Sequence, residues 1–205
     1  MPWQNRVAPQ GHLIAVAARG TLTGNRGVLH DRNGLIVRRS QVRRWIVCLL
    51  EFRGRHRVVM APNRYTHLFF LDEATALAAG HRPCAECRHG DYLLFRRSWA
   101  TAQDLSALPA ADQIDAILDD ERALSGGDRV TWPADGATLP DGVFVHRHGE
   151  PWLVTAGTLK RWAPSGYTDR VTLPGGPLAV LTPRSTVAAI NAGYRPRLHP
   201  TADPG

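Results

Sequence analysis

Lysine, cysteine and long apolar runs are all scarce in this chain of 205 residues. Its basic charge comes almost wholly from arginine, because the only lysine is Lys160. No apolar run approaches the roughly 18 residues of a membrane-spanning helix, so we expect no membrane partner. The first residues also lack the charged and then apolar layout of a secretion signal. A cytoplasmic location is therefore expected.

The three cysteines are too few, and odd in number, for a disulfide framework. Cys48 stands alone, whereas Cys84 and Cys87 form a Cys-x-x-Cys pair. In a reducing compartment such a pair is typical of a metal site or a redox centre. Two thiolates at this spacing can bind one ion from a single turn, which favours Zn²⁺. A redox pair is the alternative.

Charge is distributed unevenly along the chain. Residues 1–99 hold 16 arginines against six acidic residues, a net charge of +10, whereas residues 100–205 carry −3. A genome biased towards arginine codons explains the scarcity of lysine but not the asymmetry between the halves. Arginine clusters are typical of proteins that contact phosphate groups, so we expect a nucleic acid, DNA in particular, as partner. The arginines assigned to these contacts are Arg26, Arg43, Arg44, Arg53, Arg55, Arg57, Arg82 and Arg88.

The spacing of apolar residues predicts an α+β fold in two parts. Residues 1–105 are expected to form a small, basic, zinc-stabilised domain of a sheet and helices. Its predicted strands lie at 12–17, 27–29, 35–37, 45–52 and 57–60, and its helices at 73–79 and 91–103. Residues 106–205 are expected to form an acidic, β-rich α+β module. It has a helix at 113–124, six short strands between 129 and 181, and a C-terminal helix at 185–192.

Two of the predicted helices end in the same way. Asp72 is placed to cap the helix at 73–79, and Gly80 follows it in the position where helices often stop. Residues 79–83 and residues 192–196 both read Ala-Gly-aromatic-Arg-Pro, with histidine as the aromatic ring in the first. The repeat is either a duplicated element or a favoured helix stop.

The first of these helix ends leads directly into the cysteine pair. Residues 68–88 end in the run Ala78-Ala79-Gly80-His81-Arg82-Pro83-Cys84-Ala85-Glu86-Cys87-Arg88. This segment resembles the zinc-binding domain of the Ada DNA-repair proteins. The resemblance implies zinc at the cysteine pair and an arginine, Arg82, that approaches the DNA backbone. In that family an upstream Cys-x3-Cys pair supplies two more ligands and a methyl-accepting thiolate. This chain has no such pair, so the methyl-acceptor role does not carry over.

A Cys3His zinc site is the natural completion of the cysteine pair. Its predicted ligands are Cys48, Cys84, Cys87 and His30. His30 is preferred as the histidine because Asp31 follows it and can orient the ring, and His67 and His81 are the alternatives. The alternative for Cys48, which lies among Ile, Val and Leu, is a small core residue.

Three functions are compatible with these residues. The first is a zinc-binding, DNA-binding protein of repair or DNA-processing type, in which zinc is structural. The second is a nucleic-acid-processing enzyme, a nuclease or base-modifying hydrolase, with His30 and Asp31 as catalytic residues. The third is a zinc-stabilised module that binds another protein. A zinc deaminase is disfavoured, because residues 83–87 match only half of that signature and the upstream His-x-Glu is missing. The oligomeric state is left open.

Overall fold

The computed structural model describes residues 1–54, 58–122, 124–125 and 128–202. These residues form the predicted α+β fold, with two six-stranded sheets and a C-terminal helix. None of the described helices is long and apolar enough to span a bilayer. The elements of the first half are β1 (Gln4–Val7), β2 (Leu13–Ala15), β3 (Leu22–Asn25), β4 (Ile46–Leu49), β5 (Leu68–Phe70), α1 (Glu73–Ala78), β6 (Arg82–Pro83) and α2 (His89–Ala102).

The first sheet is short-stranded and of mixed direction. Its order is β2-β1-β5-β3-β4-β6, in which β1 with β5 and β4 with β6 run parallel and the other pairs are antiparallel. The predicted strands at 12–17 and 45–52 correspond to β2 and β4. Those at 27–29 and 35–37 are wrong, because that region contributes only the isolated bridge between His30 and Ile36. Residues 58–60 form no strand, and residue 57 lies outside the described part.

Gly24 lies within β3. A Cβ atom at this position would lie 2.2 Å from the carbonyl oxygen of Ile46 and 2.9 Å from the ring of Phe70. Glycine here therefore marks the close approach of two backbones within a sheet, which is a common reason for glycine in a strand.

The second sheet is antiparallel throughout. The elements of the second half are α3 (Ala111–Glu121), β7 (Leu124–Ser125), β8 (Asp128–Arg129), β9 (Trp132–Asp135), β10 (Phe144–Arg147), β11 (Glu150–Thr155), β12 (Thr158–Ala163), β13 (Gly166–Thr172), β14 (Pro177–Val180) and α4 (Arg184–Asn191). The strand order of the second sheet is β13-β12-β11-β10-β14-β9, and β7 and β8 pair separately as a two-stranded antiparallel sheet. The helices at 113–124 and 185–192 are confirmed, with shifted ends.

Helix α1 contributes to the cores of both sheets. Ala76 of the helix and Ala79, which follows its last residue, pack into the core of the first sheet. Leu77 packs into the main core on the second sheet. That main core also contains Phe95 and Trp99 of α2. Apolar packing is therefore continuous across the predicted boundary at residue 105.

Two buried carboxylates at the start of α1 tie the halves together. Asp72 caps the helix by accepting the Thr75 N–H at 2.9 Å, and it also accepts the hydroxyl of Tyr167 at 2.7 Å. Burial raises the pKa of Asp72. Glu73 accepts the hydroxyl of Tyr194. Both tyrosines belong to the second half, so these bonds fix α1 against it.

The repeated Ala-Gly-aromatic-Arg-Pro segments share one helix-ending geometry. Gly80 follows α1 with φ +86°, and Gly193 follows α4 with φ +115°. The next N–H, of His81, bonds the Ala76 carbonyl at 2.9 Å, and that of Tyr194 bonds the Ala189 carbonyl at 3.1 Å. These are the bonds of a Schellman motif, which needs a residue with positive φ, usually glycine.

Candidate metal centre

Cys48, Cys84 and Cys87 come together in the structure, and their sulfur atoms lie within 4.8 Å of one another. Strand pairing explains the meeting. Strand β6 adds to β4 in parallel, so that Pro83 pairs with Val47 and the Cys84 N–H donates to the Val47 carbonyl at 3.0 Å. Cys84 therefore lies beside Cys48, and a turn before α2 returns the chain to bring Cys87 to the same point.

The alternation of side chains along β4 sets the direction of Cys48. Val47 is fully buried in the core of the first sheet, and Cys48 is only half-buried. Successive side chains of a strand point to opposite faces, so Cys48 lies on the face away from that core. Cys48 is thus not a small core residue.

The three thiols are close enough to influence each other's ionisation. Hydrogen bonds from Cys48 and then from Cys87 lower the pKa of Cys84 to about 2. The bond to Cys84 in turn raises the pKa of Cys48. The Glu86 N–H also approaches the sulfur of Cys84, at 3.4 Å. Negative charge at this point is therefore stabilised on Cys84, as a thiolate metal ligand requires.

The donor set of the three cysteines fits a metal ion. Three sulfur atoms bound to one zinc ion at about 2.3 Å lie about 3.8 Å from one another, compatible with the observed cluster. Thiolate ligands select soft or borderline ions such as Zn²⁺ and Cu⁺. Cys48, Cys84 and Cys87 would hold the ion, and a tetrahedral ion would keep one further position.

A cavity of about 240 Å³ opens beside the cysteines, and all three line it. Tyr65 and Phe69 supply aromatic walls, and Asn25 and Glu86 supply polar groups. His67 also lines the cavity, and its ring centroid lies 4.7 Å from that of Tyr65. The cysteine cluster is therefore at the wall of a cavity that can hold a small ligand or the end of a larger one.

The structure does not bring His30 to the cysteines. Among the described residues the candidate cluster consists of the three cysteines alone, and the ring of His30 is turned elsewhere. Its Nδ1 lies 2.6 Å from the hydroxyl of Thr66, and its Nε2 lies 3.3 Å from the carbonyl of Ala61. Asp31 accepts the N–H groups of Asn33 and Leu35, each at 2.9 Å. Both predicted catalytic residues thus stabilise loops.

The alternative histidine ligands are also outside the cluster of three sulfur atoms. His81 is fully buried, and its Nε2 lies 3.3 Å from Nε of Arg26. Burial, together with the charge of Arg26, holds the pKa of His81 well below its ordinary value, so the ring is neutral. Its ring packs against Trp45 and Phe70, with centroids at 5.2 and 4.7 Å. His81 is therefore a core aromatic residue.

Three of the arginines predicted to contact nucleic acid are buried instead. Arg82 makes a bidentate ion pair with Asp115, both bonds at 2.8 Å, and Arg88 pairs with Glu73 at 2.8 Å. Arg26 donates to the Gly11 carbonyl at 2.8 Å. Their exposures are 0% for Arg26, 2% for Arg82 and 3% for Arg88, so none reaches a partner at the surface. A sequence count of arginine does not distinguish these structural guanidinium groups from surface ones.

Three other predicted arginines remain available at the surface. Arg43 has a 74% exposed side chain and lies 3.6 Å from Asp119. Arg44 and Arg53 are also exposed. Arg55 and Arg57 lie outside the described residues. The surface part of the predicted set is therefore smaller than the sequence indicates.

The cavity was not anticipated from the sequence. Tyr65 and Phe69 are separated by four positions along an irregular segment and a three-residue strand, so no periodic pattern marks them as one wall. The feature of the sequence that could have indicated the cavity is Cys48, because residues along β4 face the core and the cavity in turn. Comparison of the chain with protein-family models, curated proteins and solved structures gives no match.

Proposed function

We propose that this protein binds zinc through Cys48, Cys84 and Cys87 and binds nucleic acid, DNA in particular, in a repair or DNA-processing role. The observation that carries the proposal is the meeting of three thiols, from two distant segments, at the wall of a cavity. We place this activity in the cytoplasm, where thiols stay reduced.

The choice of zinc is supported by the donor set. Zn²⁺ binds three thiolates without redox chemistry and keeps tetrahedral geometry. The local resemblance of residues 68–88 to Ada zinc domains points the same way. The assignment of nucleic acid is supported by the +10 charge of residues 1–99 and by the exposure of Arg43, Arg44 and Arg53.

Metal content tests the first part of the proposal. Purified protein is expected to hold about one zinc ion per chain by elemental analysis, and Cys84→Ser is expected to lose it. His30→Gln serves as the control, since His30 is buried in the same half but lies outside the cluster. Zinc that survives Cys84→Ser, or that is lost with His30→Gln alone, would contradict this ligand set.

Salt-dependent DNA binding tests the second part. The double variant Arg43→Glu/Arg44→Glu is expected to weaken binding of duplex DNA and to flatten its salt dependence, by about 0.9 in slope for each phosphate group that the protein no longer neutralises. Arg170→Glu, an exposed arginine on β13 of the other sheet, is the matched control and is expected to bind as the wild type does. Equal affinity for all three proteins would exclude this surface.

An enzyme is the second candidate, and the cavity favours it. Zinc in catalytic sites has three protein ligands and keeps one position for water or substrate, whereas structural zinc has four protein ligands. The three cysteines line the cavity, whereas His30 and Asp31 are occupied by loop contacts. Cleavage or base release on labelled DNA that is lost in Cys84→Ser but kept in His30→Gln would establish a metal-centred enzyme. Metal binding without affinity for DNA would favour a protein-interaction module.

A further inference from the structure

A second cluster of charged groups lies away from the cysteines, around the buried ring of Trp45. Arg26 and Arg122 stack on this ring, with guanidinium carbons 3.9 and 4.1 Å from its centroid, and Arg39 lies 5.3 Å from it. Stacking on an aromatic face is favourable for one cation, but several cations at one ring repel each other.

Arg129, on β8, completes this cluster. Arg129 and Arg122 both lie against Gly80: a Cβ atom built there would be 3.7 Å from Nη1 of Arg129 and 2.6 Å from Cδ of Arg122. Arg129 is only 6% exposed. None of its three guanidinium nitrogen atoms has a hydrogen-bond partner among the described residues, nor does Nε of Arg122.

The acidic residues near the cluster do not balance it. Asp119 accepts from Nη2 of Arg122 at 2.8 Å, and Glu121 is held by Ser185, whose hydroxyl lies at 2.5 Å. Asp115 also acts on Arg122, but its charge is balanced by its own ion pair with Arg82. The four arginines therefore exceed Asp119 and Glu121 by two positive charges. Burial, aided by Arg39 and Arg122, lowers the pKa of Arg129 to about 10, which still leaves it charged at neutral pH. Buried cations without a partner are costly, so an anion is the missing component.

We propose that Arg129, Arg122 and Arg39 form a binding site for a phosphate group. A guanidinium fork matches the oxygen atoms of phosphate or carboxylate. Phosphate is the better match here, because it carries about 1.5 to 2 negative charges at neutral pH and so balances the excess. The site adjoins the exposed basic surface, since the carbonyl of Arg43 accepts from Nη2 of Arg122 at 2.8 Å. The phosphate comes either from free inorganic phosphate or from a nucleic-acid backbone.

The proposed phosphate site and the proposed metal centre share no residue, so an experiment can refute either proposal without refuting the other. Titration calorimetry with inorganic phosphate, in phosphate-free buffer, is expected to show saturable binding to the wild type. Arg129→Gln is expected to weaken this binding by about tenfold or more, as the loss of a charge-assisted pair implies. Arg170→Gln on β13 is the matched control. Arg39→Gln, at a half-buried position, gives a second test if Arg129→Gln does not fold.

The phosphate affinities of the wild type and the arginine variants decide whether the site exists. Equal phosphate affinity in the wild type, Arg129→Gln and Arg39→Gln, or no binding to the wild type, would overturn the site. Loss confined to the arginine variants of the cluster would support it. If a short duplex DNA competes with inorganic phosphate, and Arg129→Gln weakens that competition, the site binds the phosphate groups of a nucleic-acid backbone. If DNA leaves the affinity for inorganic phosphate unchanged, the site binds the free ion.

Discussion

The two sheets of this protein are built by different means. Strands of the first sheet have two to four residues and run in mixed directions, whereas those of the second have four to seven and are all antiparallel. Among the described residues, the apolar core of the first sheet has eight buried members and the main core against the second has sixteen. The second sheet therefore has the larger apolar contribution to stability.

The first half compensates with specific polar links. Arg82, Arg88 and Arg26 are buried there with defined partners, and three cysteines converge at the edge next to β6. Small cores often need a metal ion or another crosslink for stability. The arginines of the first half therefore serve its interior as well as its surface.

Metal removal is expected to have the largest effect, and to act on the first sheet rather than on the second. Chelation of a metal bound by the three cysteines should strip amide protection from β3 and β4 while β11 and β12 keep theirs, because Cys48 on β4 and Cys84 after β6 both belong to the first sheet. Zinc binding contributes on the order of 10 kcal/mol to small zinc domains. Hydrogen exchange with mass spectrometry measures both sheets at once. Equal loss of protection in the two sheets would mean that the metal does not act locally.

The buried ion pair between Arg82 and Asp115 is the next largest link. Arg82→Met is expected to lower the free energy of unfolding by about 3–5 kcal/mol, because Asp115 is left charged and buried. The double variant Arg82→Met/Asp115→Leu should recover most of this loss. Urea denaturation measures both. A single variant as stable as the wild type would show that the pair does not hold the halves together.

Sequence patterns predicted some parts of this molecule well. All four α-helices of the described residues were predicted, because their apolar spacing and end signals, such as Asp72 and Gly80, are local. Strands β1, β3 and β5 were missed or only partly anticipated. They have three or four residues each, and their pairing depends on partners remote in the chain.

The same limit applies to the site. Cys84 and Cys87 were predicted as candidate metal ligands because the spacing of the pair is local. Cys48 was predicted because it is the only other cysteine of the chain. His30, predicted as the fourth ligand, lies outside the cysteine cluster, since a hydrogen bond with Thr66, 36 positions away, directs its ring elsewhere. Burial of Arg26 and Arg82 also depends on tertiary contacts, so composition alone placed them at the surface.

The two matching helix ends offer a smaller and more direct test. Gly80→Ala should cost about 2–4 kcal/mol, because the new methyl group meets both a positive φ and the Cδ atom of buried Arg122 at 2.6 Å. Gly193→Ala has the same backbone geometry but open space around the methyl position, so about 1–2 kcal/mol is expected. Thermal unfolding of the pair measures the difference. Equal losses of stability in the two variants would mean that the side chain of Arg122 can move away from the new methyl group at little cost. The arginine cluster would then be loosely packed.

The smallest loss of stability is expected when ion pairs at the surface are removed. This test distinguishes arginines that stabilise the fold from arginines that are available to a partner. Arg43→Gln removes an exposed pair with Asp119, and Arg161→Gln removes two pairs on the second sheet, with Glu150 and Asp169. Exposed pairs contribute about 0–1 kcal/mol, so the free energy of unfolding of Arg43→Gln in urea should lie within about 0.5 kcal/mol of the wild-type value. Arg161→Gln should show no resolvable loss of stability. If Arg43→Gln alone proved costly, the surface arginines of the first half would also be structural, and their assignment to nucleic-acid contacts would lose its basis. If neither is costly, the stability of the first sheet depends on buried arginines, and the exposed ones are free to bind a partner.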